Sequence, residues 1–128
     1  MTNLDLELLG DRYAVCRLAA AAPVPAALLA AAFVAIARTA DELSIVCPEI
    51  VVPEAARVER GWRCLRVIGT LPFEATGILS SFASPLADAK IPIFAISTFD
   101  TDYLLVKEAH LEHATEVLVA SGHTIHRS

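Results

Sequence analysis

The alternation of apolar and polar residues predicts a strand, helix, strand, strand, helix, strand order in the second half of the chain. Strands are predicted over residues 62–69, 91–98, 103–107 and 123–126. The run over residues 91–98 is nearly all apolar, which is typical of a central strand covered on both faces. A first helix is predicted to start close to Glu74, and Pro85 is expected to kink or restart it. A second helix around residues 111–118 ends at Gly122, which completes the order of a ferredoxin-like unit.

The first half repeats part of this order more weakly. Strands are predicted over residues 4–9, 13–18, 33–38 and 43–47. Gly10-Asp11 predicts a turn between the first two, which would make them an antiparallel pair. Pro25 is suited to open a short helix over residues 26–31, and residues 49–61 are interpreted as the connection between the halves. The sequence therefore predicts an α+β fold with an abbreviated N-terminal module, residues 1–60, and a C-terminal module, residues 61–128.

Composition limits the classes of partner. With 128 residues, of which 55% are hydrophobic, the chain can bury a core as one domain or as two small, mutually dependent lobes. The net charge of -5 and the scattered arginines provide no basic surface for a phosphate backbone, so we expect no nucleic-acid partner. Three widely spaced cysteines, each inside an apolar run, indicate buried thiols in a reducing compartment.

One uncharged segment, residues 18–37, is long enough to span a bilayer. It consists mostly of alanine, which is only weakly apolar, and Pro23 and Pro25 interrupt it. Acidic residues precede it, where a secretory signal would carry basic ones. We therefore expect no membrane association and a cytoplasmic protein.

The sequence lacks the motifs of common enzymes. It has no Gly-rich phosphate loop, no G-x-S-x-G and no H-E-x-x-H, so we predict neither enzymatic activity nor a cofactor. His110 and His113 lack an obvious third ligand, so no metal site is predicted. His123 and His126 are expected at the surface. Asp100 and Asp102 have the spacing of an acid–base pair, but a turn explains them more simply.

Three stretches resemble the ACT-domain family: Gly77-Ile78-Leu79, Pro85-Leu86-Ala87 and, above all, residues 96–108. The last is the most specific, because it fixes many positions at set spacing. Within the family, the chain is most similar to the tandem-ACT branch that includes the cytosolic arginine sensors of animals and small stand-alone bacterial proteins. The resemblance implies two βαββαβ modules packed side by side, with a small ligand, usually an amino acid, at the seam between them.

The resemblance also implies site residues. Thr98, Phe99 and Asp102 match positions that line the ligand pocket in that branch, and Ser44, Ile45 and Val46 would face them from the other module. Thr76, Gly77 and Ile78 fall in the first turn of the predicted helix.

Physical chemistry supports these roles, but local structure offers alternatives. Unpaired N–H groups at a helix start suit the carboxylate of an amino acid, and Asp102 can accept hydrogen bonds from its ammonium. Alternatively, Thr98 and Asp102 serve the turn, Gly77 permits helix–sheet packing, and Phe99 belongs to the core. Ala75 stands where we expect an arginine-binding relative to have an acidic residue, so the ligand could be another amino acid, or none.

Two functions follow from this reasoning. The first is a regulatory module that binds an amino acid and responds through its assembly or its contacts with a regulated protein partner. The second is a ligand-free interaction module that forms a homodimer or docks through an exposed strand edge.

Overall fold

The computed structural model describes residues 2–54, 57–72 and 75–127 and shows an α+β fold. Its seven strands are β1 (Asp5–Leu18), β2 (Ala35–Arg38), β3 (Leu43–Pro48), β4 (Arg57–Val67), β5 (Ile93–Ser97), β6 (Asp102–Lys107) and β7 (Thr124–Arg127). The two α-helices are α1 (Ile78–Asp88) and α2 (Leu111–Ala120). Short 3-10 helices cover Ala26–Ala30, Glu49–Val51 and Glu108–His110.

The chain divides into two compact units. The first combines the residues up to Gly10 with those from Arg63 onward, and the second is Asp11–Trp62. The predicted boundary instead placed residues 1–10 in the N-terminal module. The structure groups these residues with the C-terminal part because the start of β1 pairs in parallel with β7, with Asp5 opposite Thr124.

The first unit contains the predicted order β4, α1, β5, β6, α2, β7. Its strands lie in the order β7, β1, β4, β6, β5, so the start of β1 lies between β7 and β4. One hydrophobic core joins the helices to alternate residues of the strands, among them Leu6, Leu65 and Leu104 from the sheet and Phe82, Leu86 and Leu118 from α1 and α2. Because the core residues of each strand lie two apart, as Leu104 and Val106 do, they share one face of the sheet.

The second unit has a smaller core. Strand β3 pairs antiparallel with both β2 and the second half of β1. Leu28, from the 3-10 helix that follows Pro25, packs against a cluster of strand residues: Ala14, Cys16, Leu43, Ile45 and Cys47. The uncharged segment, residues 18–37, thus contains a 3-10 helix and most of strand β2. In the described part of the chain, no helix has both the length and the apolar character needed to cross a membrane.

Four local expectations differ from the structure. The turn expected at Gly10-Asp11 is wrong, since β1 runs through both residues as one strand, whose start pairs with β7 and whose second half pairs with β3. Helix α1 begins at Ile78, not near Glu74, which itself lies outside the described residues. The helix continues across Pro85 as one element. Strand β5 is at the end of the strand order, with Ala95 and Ser97 exposed, and is not a covered central strand.

Candidate ligand-binding site

A cavity of about 350 Å³ lies in the first unit, between the start of α1 and the turn that joins β5 to β6. Its lining residues come from three short segments: Leu71, Pro72 and Ala75 before the helix, Gly77, Ile78 and Leu79 at its start, and Ser97 to Asp102 at the turn. The volume is that of a small-molecule site. The cavity thus joins the helix start to the strand turn, the two features that the sequence indicated.

The start of α1 supplies backbone donors. Gly77 occupies the N-cap position with φ 77°, a left-handed conformation that favours glycine. Among the described residues, no side chain caps the helix, and its first turn carries no acidic residue. Because the first N–H groups of an α-helix have no partner within the helix, the start of α1 presents donors and the positive end of the helix dipole to the cavity.

The turn between β5 and β6 is fixed by threonine hydroxyls. The Thr98 amide and hydroxyl both donate to the carbonyl oxygen of Thr101, at 2.8 and 3.0 Å, and the Thr101 amide donates back to Thr98 Oγ1 at 3.3 Å. The buried Thr101 hydroxyl donates to the carbonyl oxygen of Val67 at 2.7 Å. Thr98 therefore serves the turn as well as lining the cavity, as the alternative interpretation of this residue expected.

Two carboxylates give the cavity its charge. Asp100 and Asp102 both line it, and within residues 2–54, 57–72 and 75–127 neither side chain makes a hydrogen bond or an ion pair. The described lining residues include no lysine or arginine. The cavity therefore has backbone donors at one wall and unneutralised carboxylates at another, which suits a ligand carrying both a carboxylate and an ammonium.

Five of the nine predicted site residues line this cavity: Gly77, Ile78, Thr98, Phe99 and Asp102. Thr76 is exposed immediately before Gly77 but does not line the cavity. Phe99 is 78% exposed, so the alternative that it belongs to the core is wrong.

The other three predicted residues, Ser44, Ile45 and Val46, lie in β3 of the second unit. Ile45 and Val46 are buried there, and Ser44 is half-buried. Sequence reasoning did not include Leu71 and Pro72, although their position just before the predicted helix could have indicated them.

The cysteines and histidines named from the sequence lie outside the lining of the cavity. Burial raises the pKa of the Cys64 thiol to about 12, and all three cysteines are free and buried. Among the described residues, no group of three His, Cys, Asp or Glu side chains is placed to hold a metal ion. His123 was expected at the surface, but only 4% of its area is exposed. It is buried because both ring nitrogens have backbone partners, the Leu4 amide and the Ser81 carbonyl.

Comparison with known proteins shows which family the chain belongs to. A family model described as an ACT domain matches residues 57–120, half of the chain, and so covers the whole cavity. The chain belongs to the ACT-domain family. A second model, described as an N-terminal domain, matches residues 11–55, which nearly coincides with the second compact unit.

Relatives of this ACT protein include a much longer arginine sensor and a bacterial protein of about its own length. The human cytosolic arginine sensor for mTORC1 subunit 1 is 43% identical over 58 residues, which are 44% of this chain and 18% of the sensor. The chain thus spans about a fifth of the length of that relative. The crystal structure of protein Atu0741 from Agobacterium tumefaciens is 40% identical, with a TM-score of 0.93, and the match covers 100% of this chain and 96% of that one.

The fold is also found in a regulatory subunit. The ligand-free regulatory subunit of aspartate kinase from Thermus thermophilus matches with a TM-score of 0.66 at 10% identity, over 91% of this chain and 95% of that one. At this identity the match shows the fold alone.

Proposed function

We propose that this ACT protein is a non-enzymatic regulatory module that binds one free amino acid in the cavity between α1 and the β5–β6 turn. The observation that carries the proposal is the position of Asp102 in the same cavity as the uncapped start of α1. The ligand carboxylate accepts hydrogen bonds from the N–H groups near Ile78, and the ligand ammonium donates to Asp102. Each charged end of the ligand thereby exchanges water for a partner of opposite charge.

The residues that line the cavity also limit which side chain the ligand can carry. The sensor relative is named for arginine, but Ala75, which lines the cavity here, carries no charge to hold a guanidinium. Asp100 is the other carboxylate among the described lining residues, and its charge disfavours ligands with acidic side chains. The prediction that Ser44, Ile45 and Val46 face the ligand at a seam between modules stays a prediction, as does a cytoplasmic location.

The direct test is an NMR titration of the ¹⁵N-labelled protein with each of the twenty amino acids. A ligand should shift the amides of Gly77, Ile78 and Leu79 together with those of residues 97–102. Asp102→Asn should move the midpoint of these shifts to a ligand concentration about 10- to 100-fold higher, whereas the matched control Asp88→Asn, an exposed carboxylate at the end of α1 outside the cavity, should leave the midpoint unchanged. Shifts confined to other residues, or an unchanged midpoint in Asp102→Asn, would contradict the proposed site.

A specific observation also favours the second function, association through a strand edge. Strand β5 is last in the strand order, carries no charged side chain, and leaves Ala95 and Ser97 exposed while Phe94 and Ile96 are half-buried. Proteins usually block such edges with charges or proline, because an unblocked apolar edge pairs with another chain. The uncharged sequence of β5 allows it to pair with β5 of a second copy without like-charge repulsion.

Sedimentation velocity of two matched variants tests this association. Ile96→Lys should convert a dimer to a monomer, whereas Ile36→Lys, in the terminal strand β2 of the second unit, should not. A wild-type protein that is monomeric at high concentration would rule out self-association through β5. A dimer that only Ile36→Lys disrupts would assign the contact to β2.

A further inference from the structure

His123 joins two segments of the first unit through opposite sides of its ring. Its Nδ1 lies 3.1 Å from the amide nitrogen of Leu4, and its Nε2 lies 2.8 Å from the carbonyl oxygen of Ser81. An amide N–H can only donate, so Nδ1 carries a lone pair, and in the neutral ring Nε2 carries the hydrogen. The imidazole thus accepts from the N-terminal segment and donates to helix α1.

The Ser81 carbonyl needs this external donor. In an α-helix it would accept from the N–H four residues later, but that residue is Pro85, which has none. An unsatisfied carbonyl inside a packed structure is costly. The imidazole therefore replaces the missing helical hydrogen bond, which accounts for the continuity of α1 across Pro85.

Ser81 in turn holds the residues that line the cavity. Its amide donates to the Gly77 carbonyl at 2.9 Å, and its hydroxyl donates to the Ile78 carbonyl at 2.6 Å. Gly77 and Ile78 both belong to the cavity wall. A short chain of hydrogen bonds thus leads from the His123 ring to the start of α1, where we place the ligand carboxylate.

On the other side, the N-terminal segment is held closely. The Thr124 amide donates to the Leu4 carbonyl at 2.9 Å, so both backbone groups of Leu4 bind the segment around His123. Gly122 has φ 100°, a conformation that favours glycine, and a Cβ there would lie 2.6 Å from Oδ1 of Asn3, so a larger residue would displace the Asn3 side chain. Leu4 leads directly into β1, which continues from the first unit into the second.

We propose that His123 is a positioning residue that couples occupancy of the amino-acid cavity to the docking of the N-terminal segment, residues 2–8. Opening of this segment withdraws the support of Ser81 and loosens the start of α1, so a ligand bound there keeps the segment docked. The ligand part of this proposal rests on the proposed function, whereas the mechanical coupling between the segment and α1 does not.

Native-state hydrogen exchange in low denaturant tests the coupling without any ligand. In the wild type, the amides of residues 4–8 and those of Ser81 and Phe82 should exchange through one shared opening with the same denaturant dependence. His123→Asn keeps an acceptor near the position of Nδ1 but cannot reach Ser81, and His123→Gln reaches Ser81 but not Leu4. Both should split the opening in two, whereas the exposed control His113→Gln, in α2, should not.

The same exchange experiment is repeated with whichever of the twenty amino acids changes the NMR shifts of the amides that line the cavity. At 100 times its Kd, the amino acid should slow exchange of residues 4–8 by about 100-fold in the wild type, and by less than about threefold in His123→Asn. If the amides of residues 4–8 and those of Ser81 and Phe82 still exchange through one shared opening in both His123 variants, core packing alone couples them and the proposal is overturned. If no amino acid binds while the variants still split the opening, the coupling holds and the proposed function fails.

Discussion

The buried hydroxyl of Thr101 donates a hydrogen bond of 2.7 Å to the carbonyl oxygen of Val67, the last residue of β4. This bond fixes the β5–β6 turn to the end of β4. A second attachment is the hydrogen bond from the Leu71 amide to the Asp100 carbonyl, at 2.7 Å. Replacing Thr101 by valine leaves a buried carbonyl without a donor, which should lower the free energy of unfolding by about 1–3 kcal/mol. Urea unfolding measures this loss. Thr101→Ser keeps the hydroxyl and should lose less; equal losses in both variants would mean that packing, not the hydrogen bond, is responsible.

Asp102 should matter for binding and little for stability. Its carboxylate has no partner among the described residues, so Asp102→Asn should change the free energy of unfolding by less than about 0.5 kcal/mol. Removing a charge-assisted hydrogen bond to the ligand ammonium should weaken amino-acid binding by about 10- to 100-fold. Isothermal titration calorimetry and urea unfolding measure the two effects. A variant that binds normally but is less stable by about 1 kcal/mol would make Asp102 a turn residue.

Gly77→Ala should lower both stability and affinity. A residue with a Cβ is strained in the left-handed conformation by about 1–2 kcal/mol, although the new methyl would meet only Ser80 Oγ, at 3.9 Å. Relief of that strain would rotate the first N–H groups of α1 away from the cavity. Gly69 provides a matched control, since it has φ 101° and open space around it but does not line the cavity. Gly69→Ala should lose similar stability while ligand affinity is kept; a loss of affinity in both variants would contradict the specific role of Gly77.

Cys64 should make the protein less stable in alkali. Burial raises the pKa of its thiol to about 12 in the folded state, from about 9 in an unfolded chain. Between these values the unfolded chain releases a proton that the folded protein keeps. The contribution is therefore complete below pH 9 and is lost as the pH rises toward 12, by at most about 1.4 kcal/mol per pH unit. Urea unfolding between pH 7 and 10.5 should show a flatter pH dependence for Cys64→Ala than for the wild type; parallel curves would contradict this cause.

The order of elements in the first unit could be predicted because periodicity records which face of each element is covered. Phe82 and Leu86 recur at helical spacing and are buried together in α1. Periodicity does not say which strand is last in a sheet, and so the apolar residues of β5 indicated a central strand. It also missed the parallel pairing of Asp5 with Thr124, since residues at opposite ends of the chain carry no local signal of their contact.

Lining residues of the cavity could be predicted where a local rule or the family resemblance applied. Gly77 and Asp102 were identified in this way, and both line the cavity. His123 was misjudged because its burial depends on a carbonyl that Pro85 leaves without a partner and on the N-terminal segment, which is distant in sequence. Only the three-dimensional arrangement brings Leu4, Ser81 and His123 together.

The central claim, that the cavity binds a free amino acid, is tested most directly by thermal unfolding of the purified protein with each of the twenty amino acids at millimolar concentration. A ligand present at about 100 times its Kd adds roughly 2.7 kcal/mol to the folded state and raises Tm by several degrees. We predict such an increase for one amino acid or a few chemically related ones, and a clearly smaller increase at the same concentration in Asp102→Asn. Twenty unchanged melting curves, or an increase of the same size in Asp102→Asn, would contradict the claim.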